Sequence, residues 1–107
     1  MMENDEIRQK IEIFLSGELS AKLALDAWLA LDKALSYKLI MPNVGVGTDG
    51  EVMYTWDSLD HHIELEIFPE GTGEFFYLNR KTDETEEWEY TVGKEIPKGV
   101  IEKLSLF

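Results

Sequence analysis

The side chains most able to do chemistry lie in one short run, DSLDHHIELE, from Asp57 to Glu66. Imidazole and carboxylate groups are good ligands for zinc or manganese. Adjacent residues on a strand point to opposite faces, so His61 and His62 do not readily bind one ion together. His62 and Glu64 share a face and make a two-ligand site possible. The pattern favours a polar turn entering a strand, and we predict no metal and no cofactor.

Catalytic motifs are absent from the sequence. Glycoside-type acid–base chemistry needs two carboxyl groups at a set separation around a cleft, whereas the acids here recur along strand faces, as in solvated sheets. The run GVGTDG at 45–50 leads into a strand, which indicates a hairpin rather than a phosphate-binding loop. No serine lies in the context of a nucleophile elbow. We therefore predict a non-enzymatic protein with no catalytic residue.

Charge restricts the class of partner. The chain has 107 residues and a net charge of −12, and residues 51–107 hold fourteen acids and five bases, a net charge of −9. Such a surface repels phosphate backbones, so we expect no direct binding to nucleic acid. The acidity suits a basic protein partner. The alternative is that it only keeps a small protein soluble.

Size and composition indicate one globular domain over residues 1–107. There is no cysteine, which makes a reducing compartment the simplest setting. The start, MMENDEIRQK, lacks the features of a secretory signal. Charged residues interrupt the apolar stretch at 23–35, so we expect no membrane span and a cytoplasmic protein.

Apolar spacing predicts two N-terminal helices, Glu3–Leu15 and Ser20–Ser36, and a short C-terminal helix, Pro97–Leu104. In the second helix, Leu25 and Leu29 widen the apolar stripe to another side. That helix is either sandwiched in the core or uses its second side in a dimer, so both a monomer and a homodimer fit the sequence.

Five strands follow the helical region and make the fold class α+β. Asp-Gly at 49–50 predicts a type I′ hairpin turn, in which both central residues need positive φ. The connections are short, which predicts an antiparallel meander. The predicted strands are Asn43–Thr48, Glu51–Asp57, His62–Phe68, Glu74–Asn79 and Glu86–Val92.

Period-two alternation assigns the faces of the strands. The core face is expected to carry Val52, Tyr54, Trp56, Ile63, Leu65, Ile67, Trp88, Tyr90 and Val92. The opposite face carries Met53, Thr55, Glu64, Glu66, Phe68, Glu87 and Glu89. The fourth strand, EFFYLN, is ambiguous, because it exposes either Phe75 with Tyr77 or Phe76 with Leu78.

The pattern from 42 to 71 resembles a group of small, uncharacterised bacterial proteins with a D-G-[GE]-x-x-x-x-W strand motif followed by L-E-I. The matching positions are Pro42, Asp49, Gly50, Val52, Trp56, Leu65, Glu66, Ile67 and Gly71. The chain departs from the pattern at Glu51 and Thr55. The resemblance implies a bacterial or phage-like cytoplasmic origin and supports the hairpin register, and it implies no catalytic residue.

Aromatic side chains between acids form an apolar strip with a charged rim, which is typical of a partner-binding surface. The candidate partner-binding residues are Glu64, Glu66, Phe68, Phe75, Tyr77, Glu87 and Glu89. The alternative is that the C-terminal helix covers this strip. We predict a protein-interaction module, such as an operon partner of antitoxin or immunity type. The other open hypotheses are a nucleic-acid mimic that inhibits a basic protein, as a phage might encode, and a small ligand-binding or enzymatic domain.

Overall fold

The computed structural model describes residues 19–36 and 38–107 of the chain, and the predicted helix Glu3–Leu15 lies outside them. In the described part, helix α1 spans Leu19–Ala34 and helix α2 spans Lys98–Leu104. Each begins and ends within two residues of its prediction. Neither helix in this part of the chain is both long and apolar enough to span a bilayer.

Five strands form one antiparallel sheet whose spatial order equals the chain order, so the predicted α+β fold with a meander sheet is confirmed. All five strands lie within two residues of their predicted bounds. The strands are β1 (Asn43–Val46), β2 (Val52–Asp57), β3 (His61–Ile67), β4 (Thr72–Asn79) and β5 (Thr85–Thr91).

The turn between β1 and β2 differs from the predicted type. Gly50 has a φ of 83°, as expected, but Asp49 has no positive φ, so the type I′ prediction is wrong. The N–H of Gly50 donates to the carbonyl of Gly47 at 3.2 Å, and the N–H of Gly47 donates to the carbonyl of Glu51 at 2.8 Å. This is a type I turn followed by a left-handed residue, in which only the glycine needs positive φ.

The core lies between one face of the sheet and helix α1. As the alternation predicts, Tyr54, Trp56 and Leu65 are buried on this face, and Trp28 of α1 is fully buried against it. The Tyr54 hydroxyl donates a 2.7 Å hydrogen bond to the carbonyl of Ala24 in α1. A buried hydroxyl needs such a partner, so this bond fixes the position of α1 over β2.

Helix α2 packs on the same face of the sheet, over β4 and β5. Lys103 forms a 3.1 Å ion pair with Glu86, and its Nζ lies 4.8 Å from the ring centroid of Tyr77. A Cβ atom at Gly99 would lie 2.8 Å from the Trp88 ring, so glycine allows the close approach of α2 to β5. The C-terminal helix therefore does not cover the opposite side of the sheet, where Glu64, Glu66, Glu87 and Glu89 lie. The alternative that this helix covers the apolar strip between those acids is wrong.

Candidate functional site

Three glutamates on three neighbouring strands form a row on the side of the sheet away from α1 and α2. Glu66 of β3 lies directly opposite Glu74 of β4, and Glu74 lies directly opposite Glu89 of β5. Neighbouring strands are about 4.8 Å apart, so these carboxylates repel one another at close range. We call the surface around this row the acidic face, and its residues are Glu64, Glu66, Glu74, Phe76, Leu78, Glu87 and Glu89.

The ionisation of Glu66 reflects this crowding. Its partial burial raises the pKa of the carboxyl group above the ordinary value of 4.5, and the charges of Glu51, Glu74 and Glu64 raise it further. Both effects oppose the charged form, because burial removes water and the neighbouring carboxylates carry the same charge. The charged form of Glu66 is therefore disfavoured in the folded protein.

An apolar pair lies beside the glutamate row. Phe76 of β4 sits between Glu64 of β3 and Glu87 of β5, and Leu78 continues this line toward the far end of the strand. The side chains of Phe76 and Leu78 are half-buried. A hollow of about 260 Å³ lies here, with Phe76 and the glutamates 74, 87 and 89 in its lining. The acidic face thus combines an apolar centre with a charged rim.

Two candidate partner-binding residues, Phe75 and Tyr77, lie on the core side of the sheet, so their prediction as surface residues is wrong. They are 0% and 3% exposed, and they pack in the core opposite Leu65 and Ile63. The pair of the fourth strand that lies on the solvent side is the half-buried Phe76 and Leu78. Aromatic content alone could not decide between the two, because EFFYLN has apolar side chains on both faces.

The signal that could have resolved the fourth strand is Glu74. It shares a face with Phe76 and Leu78, because all three are an even number of residues apart. A glutamate is seldom buried without a partner. Its position therefore predicts that the Phe76 side is the solvent side.

The other candidates lie on the side of the sheet that alternation predicted, and they are Glu64, Glu66, Phe68, Glu87 and Glu89. Met53 and Thr55 pair with Glu66 and Glu64 there. Phe68 follows β3 and borders a second hollow of about 290 Å³, which Glu74 and Glu89 also line. The acidic face therefore has Leu78 at one end, and Phe68 borders it at the other end.

Counter-charges are distributed unevenly over the acidic face. The Nε2 atom of His62 lies 2.9 Å from a carboxylate oxygen of Glu64. Four acids of the face have no ion-pair partner among residues 19–36 and 38–107. These four are Glu66, Glu74, Glu87 and Glu89.

A polar cluster ends the acidic face at one corner. Asp57 accepts a hydrogen bond from Arg80 and lies 3.3 Å from the Nδ1 atom of His62. Burial alone would raise the pKa of Asp57, but the hydrogen bonds and charges of Arg80 and His62 outweigh it and hold that pKa below 3.8. The cluster joins the end of β2 to the β4–β5 turn, which carries Arg80.

The two histidines behave as the alternation predicts, because they lie on opposite faces. His61 points to the helix side, where its Nδ1 lies 2.7 Å from the Tyr77 hydroxyl. The two ring nitrogens of His62 face two different carboxylates, those of Asp57 and Glu64. Within the described part of the chain, no group of three or more metal-ligating side chains is placed to hold an ion.

Comparison of the chain with protein-family models, with curated proteins and with solved structures finds no match to any of them.

Proposed function

We propose that this protein is a non-enzymatic interaction module that binds a basic protein partner through the acidic face. The observation that carries this proposal is the row Glu66, Glu74 and Glu89, which lies across three strands without a cation paired to it in the described part of the chain. Like charges placed directly opposite each other on neighbouring strands disfavour the sheet. A basic partner would relieve that repulsion when it binds.

The apolar pair supports the same function. Interfaces between proteins have an apolar centre and a polar rim, and aromatic side chains are enriched at them. Phe76 and Leu78 lie on the solvent side of β4, with Glu64 and Glu87 flanking Phe76. They would supply the apolar contact, and the glutamates would supply direction and speed of association.

The chemistry of the face favours arginine and lysine on the partner. A guanidinium group can pair with a carboxylate in a bidentate manner and can also stack on an aromatic ring. Phe76, between Glu64 and Glu87, offers both kinds of contact to one inserted side chain. The partner surface should therefore carry at least one arginine or lysine near its centre.

The setting of this interaction rests on the sequence. The resemblance through Asp49, Gly50 and Trp56 supports a bacterial or phage-like origin, and the lack of cysteine supports the cytoplasm. A partner encoded in the same operon, as in an antitoxin or immunity pair, would fit a small acidic protein. That assignment rests on analogy with such pairs.

The test is to capture the partner from the source organism and to measure its association rate at several salt concentrations. The decisive variant replaces Glu66, Glu74, Glu87 and Glu89 with glutamine. The control variant makes the same change in net charge at four exposed acids elsewhere, namely Glu70, Glu84, Glu95 and Glu102.

We expect the face variant to associate at least about tenfold more slowly at low salt and to lose most of its salt dependence. The control variant should stay close to the original rate. If both variants associate at the original rate, the acidity serves solubility alone. If DNA competes with the protein for the captured partner, the mimic hypothesis replaces the interaction module.

A further inference from the structure

A groove with the opposite charge lies on the helix side of the molecule. It is formed between the last two turns of α1 and the segment that leads into α2, and its volume is about 930 Å³. Ala30, Pro97 and Ile101 contribute its apolar surface, and Lys33, Lys94 and Lys98 stand around it. We call this feature the lysine groove. Among the described residues, Glu95 is the only acid in its lining.

The lysines of this groove differ from most other cations of the chain. The described residues include eight lysines and arginines, of which four form ion pairs, namely Lys22, Arg80, Lys81 and Lys103. The four without an ion pair in the described part are Lys33, Lys38, Lys94 and Lys98. Three of these four line the groove, so the positive charge that the acids leave unpaired is gathered at one apolar site.

We propose that the lysine groove binds an acidic amphipathic helix of a partner protein. The lysines would pair with the acids of that helix, and the apolar surface would take its apolar stripe. Ala30 and Ala34 lie four residues apart on α1, on one side of the helix. Their small side chains allow another helix to approach closely.

The shape of the groove favours a helix over a small molecule. Ligand pockets enclose most of the surface of the molecule they bind. In the part of the chain that the structure describes, the lysine groove is open on one side and lies between two elements. A helix can cover such a surface because its apolar stripe and its acids extend over several turns.

The proposal goes beyond the interaction of the acidic face, and it predicts a second partner surface of opposite charge. The acidic face lies on the side of the sheet away from α1 and α2, whereas the groove is built from those two helices. The residues of either surface can therefore be substituted without changing the other surface.

The test uses two synthetic helical peptides, each about 18 residues long, because shorter isolated helices are marginally stable in water. Both carry leucine at helical spacing, one with glutamate and the other with lysine at the remaining positions. Binding is followed by NMR shifts of the isotope-labelled full chain. A protein of net charge −12 attracts the lysine peptide overall, so binding of the glutamate peptide reports a local site.

We expect the glutamate peptide to shift signals of Ala30, Ile96 and Ile101, and the lysine peptide to shift those of the acidic face. Replacing Lys33, Lys94 and Lys98 with glutamine should lower the affinity for the glutamate peptide by about tenfold or more. A matched control replaces Lys22, Lys38 and Lys81 with glutamine, which changes the net charge equally and should leave this binding within about threefold.

Four results would overturn the proposal. The first is no binding of the glutamate peptide, and the second is equal weakening by both triple variants. The third is a set of nuclear Overhauser contacts in the free protein between the groove and residues 1–18, which would make the chain's own segment the occupant. The fourth is a dimer that the groove variant dissociates, which would make the occupant a second copy. None of these results affects the test of the acidic face.

Discussion

Glu66 and Glu74 lie directly opposite each other on β3 and β4, and both project from the side of the sheet away from the helices. Glu89 continues the row on β5. Opposite charges directly across two strands stabilise their pairing, and like charges destabilise it. The same sign on three successive strands disfavours the pairing of these strands in the free protein.

Replacing Glu66 with glutamine should raise the stability of the free protein at neutral pH. The pKa of Glu66 is raised in the folded state, so the folded protein holds this proton more tightly than the unfolded chain. Stability from this group is therefore present below pH 4.5, the ordinary value, and is lost as the pH rises through the raised pKa.

Thermal unfolding from pH 3 to 8 checks this expectation. The glutamine variant should have the higher midpoint at neutral pH, and the difference should shrink in acid. The control is Glu84→Gln, which removes one exposed carboxylate in the β4–β5 turn. A similar gain from both variants would show that the effect comes from overall net charge.

Phe75 and Phe76 should respond very differently to alanine, although they are neighbours in the chain. Phe75 is fully buried, so Phe75→Ala should lower the free energy of unfolding by about 3–5 kcal/mol. Phe76 lies on the acidic face, so Phe76→Ala should cost about 1 kcal/mol or less. Urea unfolding measures both values, and equal losses would contradict the assignment of the β4 faces.

Phe76→Ala should have its main effect on partner binding rather than on stability. Phe76→Ala removes the aromatic centre of the acidic face and should lower the affinity for the captured partner by about tenfold. Leu78→Ala, which shortens the side chain next to Phe76 on the acidic face, should also lower the affinity for the partner. A Phe76 variant that binds with the original affinity would exclude this part of the sheet from the interface.

Gly50 should resist substitution by a side chain. Its φ of 83° is unfavourable for a β-branched residue, so Gly50→Val should lower the free energy of unfolding by about 1 kcal/mol or more. Gly45→Val is the matched control, because a Cβ atom there meets nothing within 4 Å and the residue lies in a strand. Equal unfolding free energies for the two variants would contradict the left-handed conformation of Gly50.

Arg80 should stabilise the protein only where Asp57 is ionised. The pKa of Asp57 is lowered in the folded state, so its contribution is present above 3.8, the ordinary value, and is lost as the pH falls through the lowered pKa. Arg80→Gln should therefore lower the melting midpoint at neutral pH and have little effect in strong acid. A pH-independent loss would mean that Arg80 acts through packing instead. Lys81→Gln is the matched control in the same turn.

The local features of this protein follow from its sequence. Alternation in VMYTWD and HHIELEI is regular, so it predicts the correct faces for the core residues Tyr54 and Leu65 and for the half-buried Glu64 and Glu66 on the solvent side. The positive φ of Gly50 was predicted from Asp-Gly between two alternating runs, although the predicted turn type was wrong. Short connections also determine the meander, because they allow only antiparallel neighbours.

The arrangement of the site depends on tertiary structure. The row Glu66, Glu74 and Glu89 exists because three strands pair in one register, and a register across strands is not a property of any single segment. The apolar side chains of β4 do not by themselves decide its solvent side, because both faces carry them. The helices decide it, since they pack on the side of Phe75 and Tyr77. Likewise, Lys33 and Lys98 are far apart in the chain and border one groove only because α1 and α2 pack on the same face of the sheet.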